Sequence, residues 1–115
     1  VIPLAPWDTR KDFSTVQAPT LMLSCENDII APNRNHSHPF YESLPENIDK
    51  AYLEFAGDGH FCANGDNEND ALLSTLGVSW MKVHLDKDQR YQPFLCDEDY
   101  QSDGDVSTFR SNCPF

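Results

Sequence analysis

Three short runs of the chain have the apolar pattern of β-strands. Val1–Ala5 is short, apolar and bounded by proline, Pro19–Ser24 reads "PTLMLS", and Ala51–Phe55 reads "AYLEF". The almost continuous apolar character of Pro19–Ser24 is typical of a parallel strand buried on both faces of its sheet. These runs predict a parallel β-sheet that is covered on both sides.

Two further segments have helical features. Asn35–Leu44 fits a short helix that Pro45 helps to end, because proline has no backbone N–H to donate. Asn69–Leu85 is the strongest predicted helix, with Asp70 in its first turn and Lys82 and His84 near its end, as the helix dipole favours. Its apolar residues recur at helical spacing: Leu72, Leu73, Leu76, Trp80, Met81 and Val83. Gly77 inside this helix costs about 1 kcal/mol relative to Ala, so we expect a close contact there.

The order of these elements predicts an α/β fold, since strands alternate with helices. Three strands make a poor doubly wound sheet, so we expect the remaining strands to come from sequence upstream of Val1. The apolar opening "VIPLAPW" is consistent with a strand that is already under way. From Asp86 onward the sequence predicts an irregular tail.

The chain is strongly acidic, with 8 Lys and Arg, 19 Asp and Glu, and a net charge of −11. This balance argues against a nucleic-acid partner, because phosphates attract basic surfaces. No run approaches the roughly 18 consecutive apolar residues of a membrane-spanning helix, so no membrane partner is predicted.

The four cysteines, at positions 25, 62, 96 and 113, form an even set without a C-x-x-C pair. This excludes zinc-ribbon and thioredoxin-like motifs and favours disulfides in an oxidising compartment, extracellular or periplasmic. The number of cysteines allows three connectivities and selects none of them.

Asp28 in "CENDIIAP" and His60 in "GDGHFCANGD" each follow a predicted strand. Functional groups of open parallel sheets lie beyond the carboxyl ends of the strands, so both residues are expected at one edge. A general-base histidine needs a carboxylate on its other nitrogen, and Asp before His is the order of α/β-hydrolases. Asp28 could instead cap a turn, and His60 could be a loop histidine satisfied by the backbone.

If Asp28 and His60 share a hydrogen bond, Cys25 and Cys62 beside them must also be near neighbours. A Cys25–Cys62 disulfide would then link the two loops, leaving Cys96 and Cys113 to tie down the tail. A nucleophile is missing, because the chain contains no G-x-S-x-G elbow.

A set of motifs carries a specific resemblance: "APWD" (5–8), "APTLMLSCEND" (18–28), "IAP" (30–32), "GHFCAN" (59–64), "GVSWMK" (77–82) and the two tail cysteines. With them the chain resembles the C-terminal portion of bacterial cutinase-like polyester hydrolases, the family that includes poly(ethylene terephthalate) hydrolases. The resemblance covers nearly the whole chain. It implies that residues 1–115 are the C-terminal part of a single α/β-hydrolase domain, with its last parallel strands, flanking helices and two disulfides.

The resemblance also implies roles for individual residues. Asp28 would be the acid and His60 the base of a catalytic triad, whose serine lies in an N-terminal part of the same protein. Four residues would bind the polyester or ester substrate: Trp7, Ile30, Phe61 and Asn64. The disulfides would be Cys25–Cys62 and Cys96–Cys113. The reaction would be ester hydrolysis through an acyl-enzyme, and it would need no metal or other cofactor.

Other interpretations remain open at this point. The same fold could serve a lipase or an esterase of small esters, or the chain could be a disulfide-linked extracellular binding module that depends on calcium. The acidic runs at 65–70 and 97–105 invite that calcium interpretation, although the first lacks the pattern of an EF-hand loop. His36-x-His38 lacks a third ligand and is expected at the surface, as is His84 at its helix end.

Overall fold

The computed structural model describes residues 1–64 and 69–115. Its strands are β1 (Thr20–Cys25), β2 (Lys50–Phe55) and β3 (Val106–Ser111), and its α-helices are α1 (Ser37–Ser43) and α2 (Asp70–His84). Short 3-10 helices cover Asn33–Asn35, Gln89–Phe94 and Glu98–Gln101. The two predicted helices and the two longer predicted strands are therefore present.

The three strands form one mixed sheet in the order β1-β2-β3. β1 and β2 are parallel and in register from the pair Thr20 and Lys50 to the pair Cys25 and Phe55. β3 runs antiparallel to β2, with an irregularity beside Glu54 and Phe55. Helices flank this sheet, and the predicted α/β class is confirmed.

The predicted first strand, Val1–Ala5, runs beside β1 but pairs with it only in part. The Leu23 N–H donates to Pro3 O at 3.0 Å, and the Ala5 N–H donates to Leu23 O at 2.8 Å. Leu4 and Leu23 form a single parallel bridge. Proline has no N–H to donate, so Pro3 and Pro6 limit the pairing that this segment can make.

The prediction of a wholly irregular tail is wrong, because residues 106–111 form β3 and complete the sheet. The segment reads "VSTFRS" and contains the β-branched Val106 and Thr108 and the aromatic Phe109, residue types that strands favour. Only Val106 of its six residues is buried, so the strand is partly exposed. The Cys96–Cys113 disulfide ties this segment to the preceding turns, and Cys25–Cys62 is the second disulfide. Both predicted pairings are confirmed.

The core has two parts, one on each face of the sheet. Leu21, Leu23 and Leu53 face α2, where Leu76, Trp80 and Val83 are buried. Met22 and Tyr52 face α1 and its flanking loop, which contribute Phe40, Tyr41, Leu44 and Ile48. Successive strand residues point to opposite faces, and here both faces are covered. This explains why "TLMLSC" contains no position that is reserved for solvent.

The histidines expected at the surface are largely covered. His36 is buried between Trp7 and Phe40, with ring centroids 5.6 and 5.7 Å away. His38 Nε2 lies 2.6 Å from the carboxylate of the buried Glu54. His84 packs on Trp80 at 4.1 Å, and burial lowers its pKa. The surface expectation is therefore wrong for His36, which is buried, whereas His84 is partly covered by the Trp80 and Phe115 rings.

Among the described residues, no group of three or more His, Cys, Asp or Glu side chains is placed to hold a metal ion. The acidic run 65–70 lies mostly outside the described residues, because 65–68 are not described. In the same parts of the chain, no helix has both the length and the apolar character to cross a membrane.

The expected close contact at Gly77 is also wrong, since a Cβ added there would meet none of the described neighbours within 4 Å. A Cβ added at Gly57 would also meet nothing within 4 Å, but Gly57 has a φ of +77°, which L-residues avoid.

We therefore expect Gly77→Ala to stabilise the protein by about 0.4–1 kcal/mol. Gly57→Ala should destabilise it by about 1–2 kcal/mol, because alanine is strained at a positive φ. Both sites have room for a Cβ, so the two variants differ only in this backbone strain. Denaturant unfolding of the two variants measures both effects, and equal shifts would contradict this account.

Candidate active site

Asp28 lies in the turn that follows β1, with its side chain fully buried (0% exposed). Its Oδ1 accepts hydrogen bonds from the N–H of Ile30 at 2.8 Å and of Ala31 at 2.7 Å. This is the turn-capping role that the sequence left open. It occupies only one carboxylate oxygen, so capping does not exclude a second function.

The second oxygen of Asp28 meets His60. His60 Nδ1 lies 2.8 Å from Asp28 Oδ2, and the imidazole is 23% exposed. With Asp28 ionised, Nδ1 carries a proton and donates a hydrogen bond to the carboxylate, so the Nε2 lone pair is the one that can accept a proton. The structure thus brings the predicted acid and base together in the geometry that a histidine general base requires.

Opposing effects act on the Asp28 carboxyl group. Burial raises its pKa, but the Ala31 N–H, the His60 ring and the Ile30 N–H together outweigh that effect, so the net pKa is lowered. All of these partners interact more favourably with the charged form. Asp28 is therefore held as a carboxylate, as an orienting partner for histidine must be.

The loop that carries His60 is fixed to the loop that carries Asp28. The Gly57 N–H donates to Glu26 Oε2 at 2.7 Å, Asn27 Nδ2 donates to Gly57 O at 3.1 Å, and the Asn27 N–H donates to Asp58 O at 2.8 Å. The Cys25–Cys62 disulfide adds a covalent link between the same two loops. The position of His60 relative to Asp28 is therefore set by several independent contacts.

Glu26 and Asn27 were not among the candidates drawn from the sequence. The sequence signal for them is their position in "CEND", where two polar side chains directly follow a buried strand. Their partners are mostly backbone groups some 30 residues further along the chain, which no local pattern can indicate.

The predicted substrate-binding residues lie on the same edge of the sheet. Trp7, Ile30 and Phe61 are each more than half exposed, which is unusual for large apolar side chains. The Phe61 ring meets the His60 ring edge-on at 5.2 Å, and the Trp7 ring packs on His36. Asn64 is exposed, and its N–H donates to Phe61 O at 2.9 Å.

Two cavities adjoin these residues. One of about 270 Å³ is lined by residues 58–62 and lies against His60. The other, about 320 Å³ and mainly apolar, is lined by Trp7, Phe13, Met22 and Phe40, among others, and includes neither Asp28 nor His60. The first is therefore the cavity that adjoins His60.

Among the described residues no serine hydroxyl is hydrogen-bonded to His60. Ser24 is buried on β1 and donates to Ser37 Oγ at 2.6 Å, so its hydroxyl is used within the core. The hydroxyl of Ser24 is therefore not placed beside His60.

Comparison with known proteins gives the family. A family model described as PET hydrolase-like matches residues 1–114. Cutinase 2 of Thermobifida cellulosilytica is 44% identical over 115 residues, which is 99% of this chain and 43% of that protein. Cutinase cut1 of Thermobifida fusca is also 44% identical, over 99% of this chain and 35% of that protein. A bis(hydroxyethyl) terephthalate hydrolase of Streptomyces coelicolor is 41% identical over 98% of this chain and 35% of its own length.

The chain belongs to the PET hydrolase-like family, as its motifs predicted. Its relatives are named as cutinases and as a hydrolase of a terephthalate ester. The chain spans less than half the length of these relatives.

The lowered pKa of Asp28 predicts that its contribution to the free energy of unfolding depends on pH. We expect Asp28→Asn to lower the free energy of unfolding by about 1–3 kcal/mol near pH 6, because Asn presents an amide to the imidazole. Since the pKa of Asp28 is lower in the folded state, this stabilisation is full above the ordinary Asp pKa of about 4. It is lost as pH falls through the folded-state value.

Asp12→Asn is the matched control for this measurement. Asp12 also accepts a backbone hydrogen bond, from the Ser14 N–H at 2.9 Å, but it is exposed and has no histidine partner. Its substitution should change the free energy of unfolding by less than about 1 kcal/mol. Chemical denaturation between pH 6 and pH 2 gives both curves, and an Asp28 effect that grows as pH falls would contradict the assignment.

Proposed function

We propose that this chain is the acid–base part of a secreted serine ester hydrolase that acts on polyesters of the cutin or aromatic type. The observation that carries the proposal is the 2.8 Å contact between His60 Nδ1 and the buried carboxylate of Asp28. Membership of the PET hydrolase-like family supports the reaction class. The two disulfides support an extracellular or periplasmic location.

In the proposed mechanism, a serine from an upstream part of the same protein attacks the ester carbonyl. His60 Nε2 accepts the serine proton, and Asp28 stabilises the imidazolium that forms. Backbone N–H groups near the serine hold the tetrahedral oxyanion, and water then releases the acid from the acyl-enzyme. No step of this reaction calls for a metal or another cofactor.

The substrate assignment depends on the exposed apolar groups beside this pair. Trp7 offers an aromatic face to an acyl or aromatic part of the substrate, and Ile30 and Phe61 flank Asp28 and His60. Asn64, exposed in the same loop as Phe61, is proposed as a polar contact to the substrate. The strongly acidic chain suits an uncharged polymer better than a polyanion.

A second candidate is hydrolysis of small soluble esters by the same machinery. It is favoured by the relative named bis(hydroxyethyl) terephthalate hydrolase and by the bulk of Phe61 next to His60. The ratio of the rates on a soluble short-chain ester and on a polyester film separates the two candidates.

We expect His60→Ala, in the polypeptide that includes the upstream serine, to lower kcat on soluble esters by at least 10³-fold, because the general base is lost. His84→Phe is the control. His84 is the last residue of α2, and the phenylalanine ring keeps the packing against Trp80. Its turnover should stay within about twofold of the parent. Retained esterase activity in His60→Ala would refute the proposal.

We expect Trp7→Ala to lower the rate on an aromatic polyester film more than the rate on a soluble acetate ester. The reason is that aromatic stacking contributes about 1 kcal/mol only where the substrate has an aromatic ring. Parallel assays on the two substrates give the ratio. An equal loss on both substrates would assign Trp7 to folding instead.

A further inference from the structure

Gly57 is the residue at which the loop that carries His60 leaves β2. It comes two residues after the end of that strand and three residues before His60. Its φ is +77°, and a glycine has no Cβ to restrict either of its backbone angles. Rotation about φ or ψ at this residue would swing the residues that follow, His60 among them. The position of His60 therefore depends on what holds the Gly57 backbone.

Two side chains hold that backbone, one on each side of the Gly57 Cα. Glu26 Oε2 accepts a hydrogen bond from the Gly57 N–H at 2.7 Å, and Asn27 Nδ2 donates to Gly57 O at 3.1 Å. The first bond fixes the peptide group before the Cα, and the second fixes the peptide group after it. Together they restrain both φ and ψ of the most permissive residue in the loop.

Three consecutive side chains after β1 contact the loop that carries His60. Glu26 and Asn27 contact its start, and Asp28 contacts His60 itself, with 2.8 Å between Oδ2 and Nδ1. Unlike Asp28, the first two residues are exposed, so their bonds to Gly57 are not imposed by burial in the core. An exposed side chain gives up rotamer freedom to hold such a bond. These two contacts are therefore best understood through what they do to the loop.

The same loop has a second anchor on the other side of His60. Cys62 comes two residues after His60 and forms the disulfide with Cys25. Only residues 58–61 lie between the Gly57 anchor and this disulfide. Without the two side-chain bonds, the disulfide and the backbone bond from the Asn27 N–H to Asp58 O, at 2.8 Å, would still hold the loop near β1. Losing the side-chain bonds should therefore loosen the loop without unfolding it.

We infer that Glu26 and Asn27 are positioning residues, which fix the Gly57 backbone and thereby keep His60 Nδ1 against Asp28. This inference rests on the proposed function, in which His60 accepts the serine proton. A general base that is displaced by about 1 Å can lose about 100-fold in rate. The two residues act through His60 and not through substrate binding, so their loss lowers kcat and leaves KM unchanged.

The first test is Asn27→Ala in the complete polypeptide that includes the upstream serine. The substitution removes the bond to Gly57 O and keeps the backbone bond to Asp58 O. On a soluble ester, kcat should fall roughly 10- to 100-fold, and KM should stay within about twofold of the parent. The downfield NMR signal of the His60 Nδ1 proton should exchange faster with solvent in the same variant. An unchanged kcat, or a loss that appears only in KM, would overturn the inference.

Two substitutions of Glu26 separate its hydrogen bond from its charge. Alanine removes the acceptor of the Gly57 N–H, whereas the amide oxygen of glutamine can still accept that bond. Glu26→Ala should therefore lose kcat as Asn27→Ala does. Glu26→Gln should keep kcat within about threefold of the parent, because a neutral acceptor forms a weaker bond of the same geometry. Equal losses in the two Glu26 variants would assign the effect to the carboxylate charge and would overturn the inference.

Asn112→Ala is the matched control for Asn27→Ala. Asn112 also bonds backbone groups beside β2, since its Nδ2 donates to Ile48 O at 2.8 Å and its Oδ1 accepts the Lys50 N–H at 2.8 Å. Lys50 begins β2, so these bonds lie at the end of the strand away from His60. Because they are partly buried, their loss should lower the melting temperature at least as much as Asn27→Ala does.

The control should nevertheless keep kcat within about twofold of the parent. A comparable loss of kcat in Asn112→Ala would assign the effect to general destabilisation and would overturn the inference. Failure of the proposed function shows separately, as soluble-ester turnover that survives His60→Ala.

Discussion

Cys25 and Phe55 face each other as the last paired residues of β1 and β2. Because the two strands are parallel and in register, the loops that follow them start at the same level of the sheet. Asp28 comes three residues after Cys25, and His60 comes five residues after Phe55. A shift of one residue in this pairing would move one loop by about 3.3 Å and turn its side chains to the other face. The 2.8 Å contact of Asp28 and His60 therefore depends on the register of two buried strands.

The register is in turn fixed by packing on both faces of the sheet. Leu23 and Leu53 are a register pair on the α2 side, and Met22 and Tyr52 are a pair on the α1 side. Since each face is buried, no slipped pairing could keep both sets of side chains out of water. The residues that form the core therefore also set the relative position of Asp28 and His60.

Much of this arrangement is readable from the chain itself. The apolar run around Leu21–Leu23, the stripe of α2 and the polar residues after each strand predict the elements that hold Asp28 and His60. The contacts that fix the loops are not readable, because Glu26 and Asn27 bond backbone groups that are distant in sequence. β3 was missed for a related reason. The "VSTFRS" sequence does not predict a strand by itself, because the segment forms a strand by pairing with the edge of β2. The burial of His36 and His84 depends on aromatic partners that only the folded chain supplies.

The hydrogen bonds from Ile30 and Ala31 to Asp28 Oδ1 have a spectroscopic consequence. Amide protons bonded to a carboxylate resonate downfield and exchange slowly with solvent while the bond persists. These two amides therefore act as built-in NMR reporters of a side chain that has no convenient signal of its own. Their shifts would follow the ionisation of Asp28 and any change at His60 when a ligand enters. The hydrogen bond between Asp28 and His60 is then followed without altering either residue.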